Sequence, residues 1–141
     1  MRALLIALLA LALGLALAAP AAALIRSFRT PSGNIGCVYA SSLGQGGPYL
    51  RCDIRSRLKP KPPKPKGCNF DWGDSFEMHS TGRVDVTCHG DTAIIPTSKV
   101  LGYGQRGSRG GFACLSRKVG LRCRNKSGHG FFLSRQHSYS F

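Results

Sequence analysis

Two histidines stand in settings that can do chemistry. His89-Gly90-Asp91 follows Cys88 directly, and His129 lies between Gly128 and Gly130. Paired imidazoles serve as general base and general acid on a phosphodiester, with a lysine or arginine stabilising the charged transition state. In that arrangement Asp91 would orient one ring. The two rings must meet in space, and sequence spacing does not arrange that. A histidine in such a turn also serves simply by bonding a backbone carbonyl. Asp71-Trp72-Gly73-Asp74 with Glu77 is a second candidate, since paired carboxylates hydrolyse glycosides when held at the right separation. Asp is equally a turn residue, and Trp72 a core or rim aromatic.

Other chemistries lack their residues. There is no Gly-x-Ser-x-Gly elbow, no phosphate loop and no dinucleotide fingerprint, so no cofactor is expected. Asn125-Lys126-Ser127 matches a glycosylation sequon that only a eukaryotic secretory host would use.

Charge is the stronger signal. Twenty Lys and Arg stand against six Asp and Glu, a net of +14. Such a chain attracts phosphates, anionic polysaccharide or acidic headgroups, although physiological salt screens the field beyond ~8 Å. Two clusters carry it. Arg55, Arg57, Lys59, Lys61, Lys64 and Lys66 fall in the stretch 54–68, which has four prolines and no acid. The prolines favour an extended polyproline II run. The stretch reads as a stiff solvated connector over 55–66 or as an anion-binding strip, with little aromatic interleaving. The second cluster is Arg122, Arg124, Lys126 and Arg135, with Arg117 and Lys118 nearby.

The elements that must position these residues begin with a leader. Met1-Arg2 precedes an uncharged, Leu- and Ala-rich run to Ile25, with small residues at Ala21-Ala22-Ala23. This pattern predicts a secretory signal peptide over 1–23, cleaved after Ala23, with Ala18 as the competing point. Cleavage removes one arginine and no acid, taking +14 to +13, and leaves 24–141 as a single exported domain without a membrane anchor. A retained membrane helix is the rival reading.

All six cysteines follow the leader: Cys37, Cys52, Cys68, Cys88, Cys114 and Cys123. An even count in a small exported chain predicts a disulfide framework. The spacings lack the close ligand pairs of a zinc site, so no metal is expected. Leu50-Arg51-Cys52-Asp53-Ile54, Arg83 to Cys88 and Val119 to Arg124 alternate polar and apolar residues. Each places its cysteine on the apolar face of a period-two strand. The fold class is all-β, a small domain of short antiparallel strands forming about three hairpins. One cysteine per strand predicts bonds Cys37–Cys52, Cys68–Cys88 and Cys114–Cys123, because facing residues of a ladder lie within bridging reach.

"FRTPSGNIGCVY" (28–39), "LRCDI" (50–54), "CNFDWG" (68–73), "CHGDT" (88–92), "LGYG" (101–104), "GFACLS" (111–116) and "GLRCRNKSGHGFFLSR" (120–135) resemble a domain-of-unknown-function family. Its members are small secreted, cysteine-paired bacterial proteins, largely actinobacterial. The resemblance implies an exported, cysteine-paired single domain and no particular activity.

Three functions follow as expectations. The first is a monomeric, non-enzymatic secreted module that binds an anionic polymer or surface through the two basic clusters. The second is a small hydrolase such as a ribonuclease, using His89 and His129 with Asp91. The third is a structural or inhibitory protein whose contact with another protein centres on aromatics such as Trp72 and Tyr103.

Overall fold

The computed structural model describes residues 25–43 and 46–141. The expected leader at 1–23 and its cleavage point lie outside them. The described strands are β1 (Ile25–Arg29), β2 (Ile35–Ala40), β3 (Tyr49–Ile54), β4 (Ser75–His79), β5 (Val84–Val86), β6 (Lys99–Val100), β7 (Arg106–Arg109), β8 (Phe112–Arg117), β9 (Gly120–Arg124), β10 (Gly130–Leu133) and β11 (Tyr139–Ser140). The fold is all-β. No helix among the described residues is long and apolar enough to cross a membrane.

Six strands form the first sheet, in the order β5-β4-β3-β2-β1-β6, and five form the second, β11-β10-β9-β8-β7. Neighbours pair antiparallel except β6, which runs parallel to β1. Period-two alternation gives each sheet one apolar face, and the two faces meet. Tyr39 of β2 meets Phe112 of β8 edge-on, with centroids 6.1 Å apart. Phe76 of β4 stacks on Phe131 of β10 at 5.8 Å. Ile35, Leu50, Ile54, Met78, Leu121 and Leu133 fill the space around them.

Three disulfides staple this sandwich. Cys37 lies opposite Cys52 and Cys114 opposite Cys123 in their ladders, and both pairs are bonded with Cα atoms 4.1 Å apart. Cys68 is bonded to Cys88 across 5.7 Å, but not across the expected hairpin strands. β5 ends at Val86, and both cysteines lie in irregular segments flanking β4 and β5. Cys88 is exposed rather than on the apolar face, because the chain has already left the ladder. The isolated bridge Asp71–His89 holds these segments side by side instead.

The alternation in 50–54 predicts Arg51 and Asp53 in solvent. Both are buried, at 9% and 2% exposure. Residues 91–94 cross the outer face of β2 and β3 and cover them. Gly36 makes the crossing possible. A Cβ there would lie 2.6 Å from Ile94 Cα and 2.8 Å from the Ala93 carbonyl oxygen, so only a residue without a side chain fits.

The 55–66 connector is largely exposed, yet it is tied down at several points. Leu58 is buried and its N–H donates to the Gly73 carbonyl at 2.8 Å. Trp72 Nε1 donates to the Pro62 carbonyl. Ser138 N donates to the Lys59 carbonyl at 2.7 Å.

Candidate functional site

His89 is buried at 8% exposure. Its Nδ1 lies 2.6 Å from the Asp91 carbonyl oxygen, and its Nε2 lies 2.8 Å from Asp74 Oδ1. Both ring nitrogens are therefore engaged by oxygens of the protein itself. No ring nitrogen is left to take a proton from a substrate. Asp91 does touch this ring, but through its backbone. Its carboxylate goes to Arg51 Nη1, 2.6 Å away. That bond and the guanidinium charge hold the Asp91 carboxyl below its ordinary range. Arg51 also grips Asp53 through Nε and Nη2. Asp53 in turn accepts from Thr92 Oγ1 and from the Ala93 N–H at 2.7 Å. The group around His89 and Asp91 thus fastens residues 88–94 to the first sheet.

His129 is half-buried, and its carbonyl accepts the Asn125 N–H at 2.8 Å. This turn docks on the β4–β5 turn. Asn125 Nδ2 donates to the His79 and Gly82 carbonyls, and Lys126 N donates to Ser80 O. His89 is anchored at Asp74, beside the first residue of β4, whereas the His129 turn is anchored at His79, its last. The anchors are five residues apart along extended chain, about 16 Å. The structure does not bring the two histidines together.

Two further carboxylates, those of Asp74 and Glu77, are also engaged. Asp74 serves His89 and lies 3.7 Å from Arg57. Glu77 accepts the Tyr49 hydroxyl at 2.8 Å, and burial, with the Glu77 charge second, pushes that phenol well above its ordinary value.

Within the basic connector, Arg55 Nε donates to the Gly33 carbonyl and Arg57 to the Trp72 carbonyl. Lys61 and Lys64 place their ammonium groups 4.3 and 4.8 Å from the centroid of the Trp72 ring. The aromatic that the strip lacks in sequence is supplied by a later segment, and its face is already covered by protein cations.

The second sheet is different. All six acids fall between Asp53 and Asp91. Residues 106–141 hold Arg106, Arg109, Arg117, Lys118, Arg122, Arg124, Lys126 and Arg135 and no carboxylate side chain. Alternation in β9 buries Leu121 and Cys123 and turns Arg122 and Arg124 outward. The ladder register sets Leu115, Arg122, Phe132 and Tyr139 side by side on that outer face. Arg122 Cζ lies 3.8 Å from the Phe141 ring centroid, and Nη1 donates to Tyr139 Oη at 3.3 Å. Tyr139 packs against Phe132 at 5.5 Å and His137 at 5.3 Å, yet keeps 39% of its surface exposed. The expected cations Arg122 and Arg124 lie on this platform. Arg135 lies apart, in a small polar cup with Arg117 and Lys118, and Lys126 packs its methylenes on Gly111.

The platform's aromatics were not singled out from sequence. Their signal is the alternation of His137, Tyr139 and Phe141 at the chain's end, a period-two pattern that places all three on one side of a strand.

These features define an all-β, disulfide-stapled two-sheet protein with one acid-free cationic sheet. The chain belongs to a family whose model, described as Family of unknown function (DUF6636), matches residues 4–141. No curated protein and no solved structure matches it.

Proposed function

We propose that this protein is an exported, non-enzymatic module that binds an anionic polymer, of the cell envelope or a nucleic acid, through the outer face of its second sheet. The observation that carries this reading is the segregation of charge. Eight cations and no carboxylate side chain lie in 106–141, and Arg122 sits among the rings of Phe132, Tyr139 and Phe141. A cationic sheet face with exposed rings suits a flexible charged chain, because the charge tracks the backbone and the rings offer stacking surface. Export is part of the same reading. The apolar start with small residues at Ala21-Ala22-Ala23 and three disulfides support it.

The test is a salt series with labelled single-stranded RNA and, separately, long-chain polyphosphate, followed for retention and for cleavage. Retention should fall linearly on a log–log plot as salt rises, with no cleavage. Arg122→Gln should weaken retention at least fivefold. Retention indifferent to salt and to Arg122→Gln overturns the reading. RNA cleavage that His129→Ala abolishes makes the protein a hydrolase instead.

A further inference from the structure

A second site lies where the two sheets part. Along the edge formed by β1, β6 and β7 they leave a cleft of about 550 Å³, within the size range of small-molecule sites. Its cause is visible in the strand register. The residues of β7 opposite inward-facing Phe112 and Cys114 are Arg109 and Gly107. A glycine and an arginine supply no apolar side chain to close the gap. Phe28 and Leu101 therefore only half-bury against the core, and Val100 stays 40% exposed.

The walls are apolar and the mouth is cationic. Phe28, Tyr39, Leu101 and Phe112 line the inside. Arg26, Lys99, Arg106 and Arg109 also line it, and no Asp or Glu does. Arg109 holds its guanidinium 5.9 Å from the Tyr39 ring centroid, and Lys99 stands beside Phe28 in the parallel pairing of β6 with β1. Neither has a carboxylate partner among the described residues. Apolar surface beside Lys99 and Arg109, with no Asp or Glu in the lining, is complementary to one kind of ligand.

We infer that this cleft binds a free, single-chain anionic amphiphile. Its tail lies along Phe28 and Leu101 and its headgroup against Arg109 and Lys99. The tail removes from water surface that the sandwich leaves uncovered. The guanidinium fork of Arg109 suits a carboxylate or a phosphate. This site is separate from the outer face of the second sheet, so its test stands apart from the polymer test.

The experiment is calorimetric titration of the oxidised protein with laurate below its micelle concentration, with side-chain NMR shifts as the site readout. One laurate should bind per chain, with Kd in the micromolar range, shifting Phe28, Val100 and Leu101. Acetate should bind at least a hundredfold more weakly, and dodecyltrimethylammonium should not saturate. The double variant Lys99→Gln/Arg109→Gln should weaken laurate at least tenfold. Leu101→Trp, which fills the cleft, should abolish binding. If that variant does not fold, Val100→Asp sets a carboxylate at the exposed mouth and should weaken binding at least fivefold. No saturable binding to millimolar laurate overturns the proposal. So does equal affinity for the cationic surfactant, or binding only to phosphatidylglycerol vesicles.

Discussion

Arg51 and Asp53 stand two residues apart on β3 and grip each other through two bonds, Nε to Oδ1 at 2.8 Å and Nη2 to Oδ2 at 2.9 Å. Both side chains are buried. A bidentate pair satisfies much of what each group loses on leaving water, and the N–H of Ala93 satisfies part of the remainder. The pair is therefore costly to break from one side only. Arg51→Met leaves Asp53 buried without its main partner and should lose about 3–5 kcal/mol in urea denaturation. The double variant Arg51→Met/Asp53→Leu removes both charges and should lose clearly less than the single variant. Equal losses would mean that the segment over β3 is held by something else.

Asp91 belongs to the same group but faces solvent, with its side chain 79% exposed. Arg51 lowers its carboxyl pKa in the folded state. A lowered carboxylate stabilises the fold above its unfolded value, about 3.9, and that contribution is lost as pH falls through the folded value. Solvent screening keeps it below about 1 kcal/mol. Asp91→Asn should thus lower Tm slightly at pH 7, and the difference should narrow as pH falls below the unfolded value. A difference that does not narrow on acidification would assign the effect to packing.

Gly36 tests the crossing segment from the other side. Its backbone needs no unusual conformation, so the objection to a side chain is purely steric. Gly36→Ala should push residues 93 and 94 off the sheet and cost about 1–3 kcal/mol. Hydrogen exchange at the Ala93 amide, the donor to Asp53, should accelerate more than exchange in β8 and β9. Uniform acceleration would point to global loosening instead.

Trp72 reports which basic cluster meets a polymer. It is the single tryptophan of the chain, and two ammonium groups lie against it. Polyphosphate bound at the outer face of the second sheet should leave its emission unchanged at saturation. Lys61→Ala/Lys64→Ala, by contrast, should shift the emission with little effect on retention. An emission change that tracks polyphosphate binding would move the interface to the connector.

Tyr139 tests the platform itself. Much of the ring is in solvent, so Tyr139→Ala should alter stability by less than about 1 kcal/mol. For single-stranded RNA the loss of one stacking ring should cost about 1–3 kcal/mol of binding, read as a rise in Kd. Polyphosphate has no base to stack and should respond less. Equal effects on both polymers would reduce the platform to charge.

The strand pattern was legible because alternation is local. Leu50, Cys52 and Ile54, or Leu121 and Cys123, declare one buried face within five residues. The same logic failed at Arg51 and Asp53 because it assumes that the other face meets water. No local signal in 50–54 says that residues 91–94, about forty positions later, will lie across it. Gly36 was the one available hint, and a glycine in a strand also marks bulges and turns.

The sequence by itself determined the all-β class, the six candidate half-cystines and the separation of acids from the basic end of the chain, since these follow from periodicity, parity and composition. Only the tertiary structure decided what the candidate groups do. It fixed His89 between Asp74 and the Asp91 carbonyl, set Trp72 under two lysines, and gathered Arg122, Tyr139 and Phe141 on one face. It also opened the cleft beside Gly107 and Arg109. The physical reason is the same in each case. A side chain's chemistry depends on which groups the fold places within a few ångströms of it, and local periodicity does not say which segments supply them.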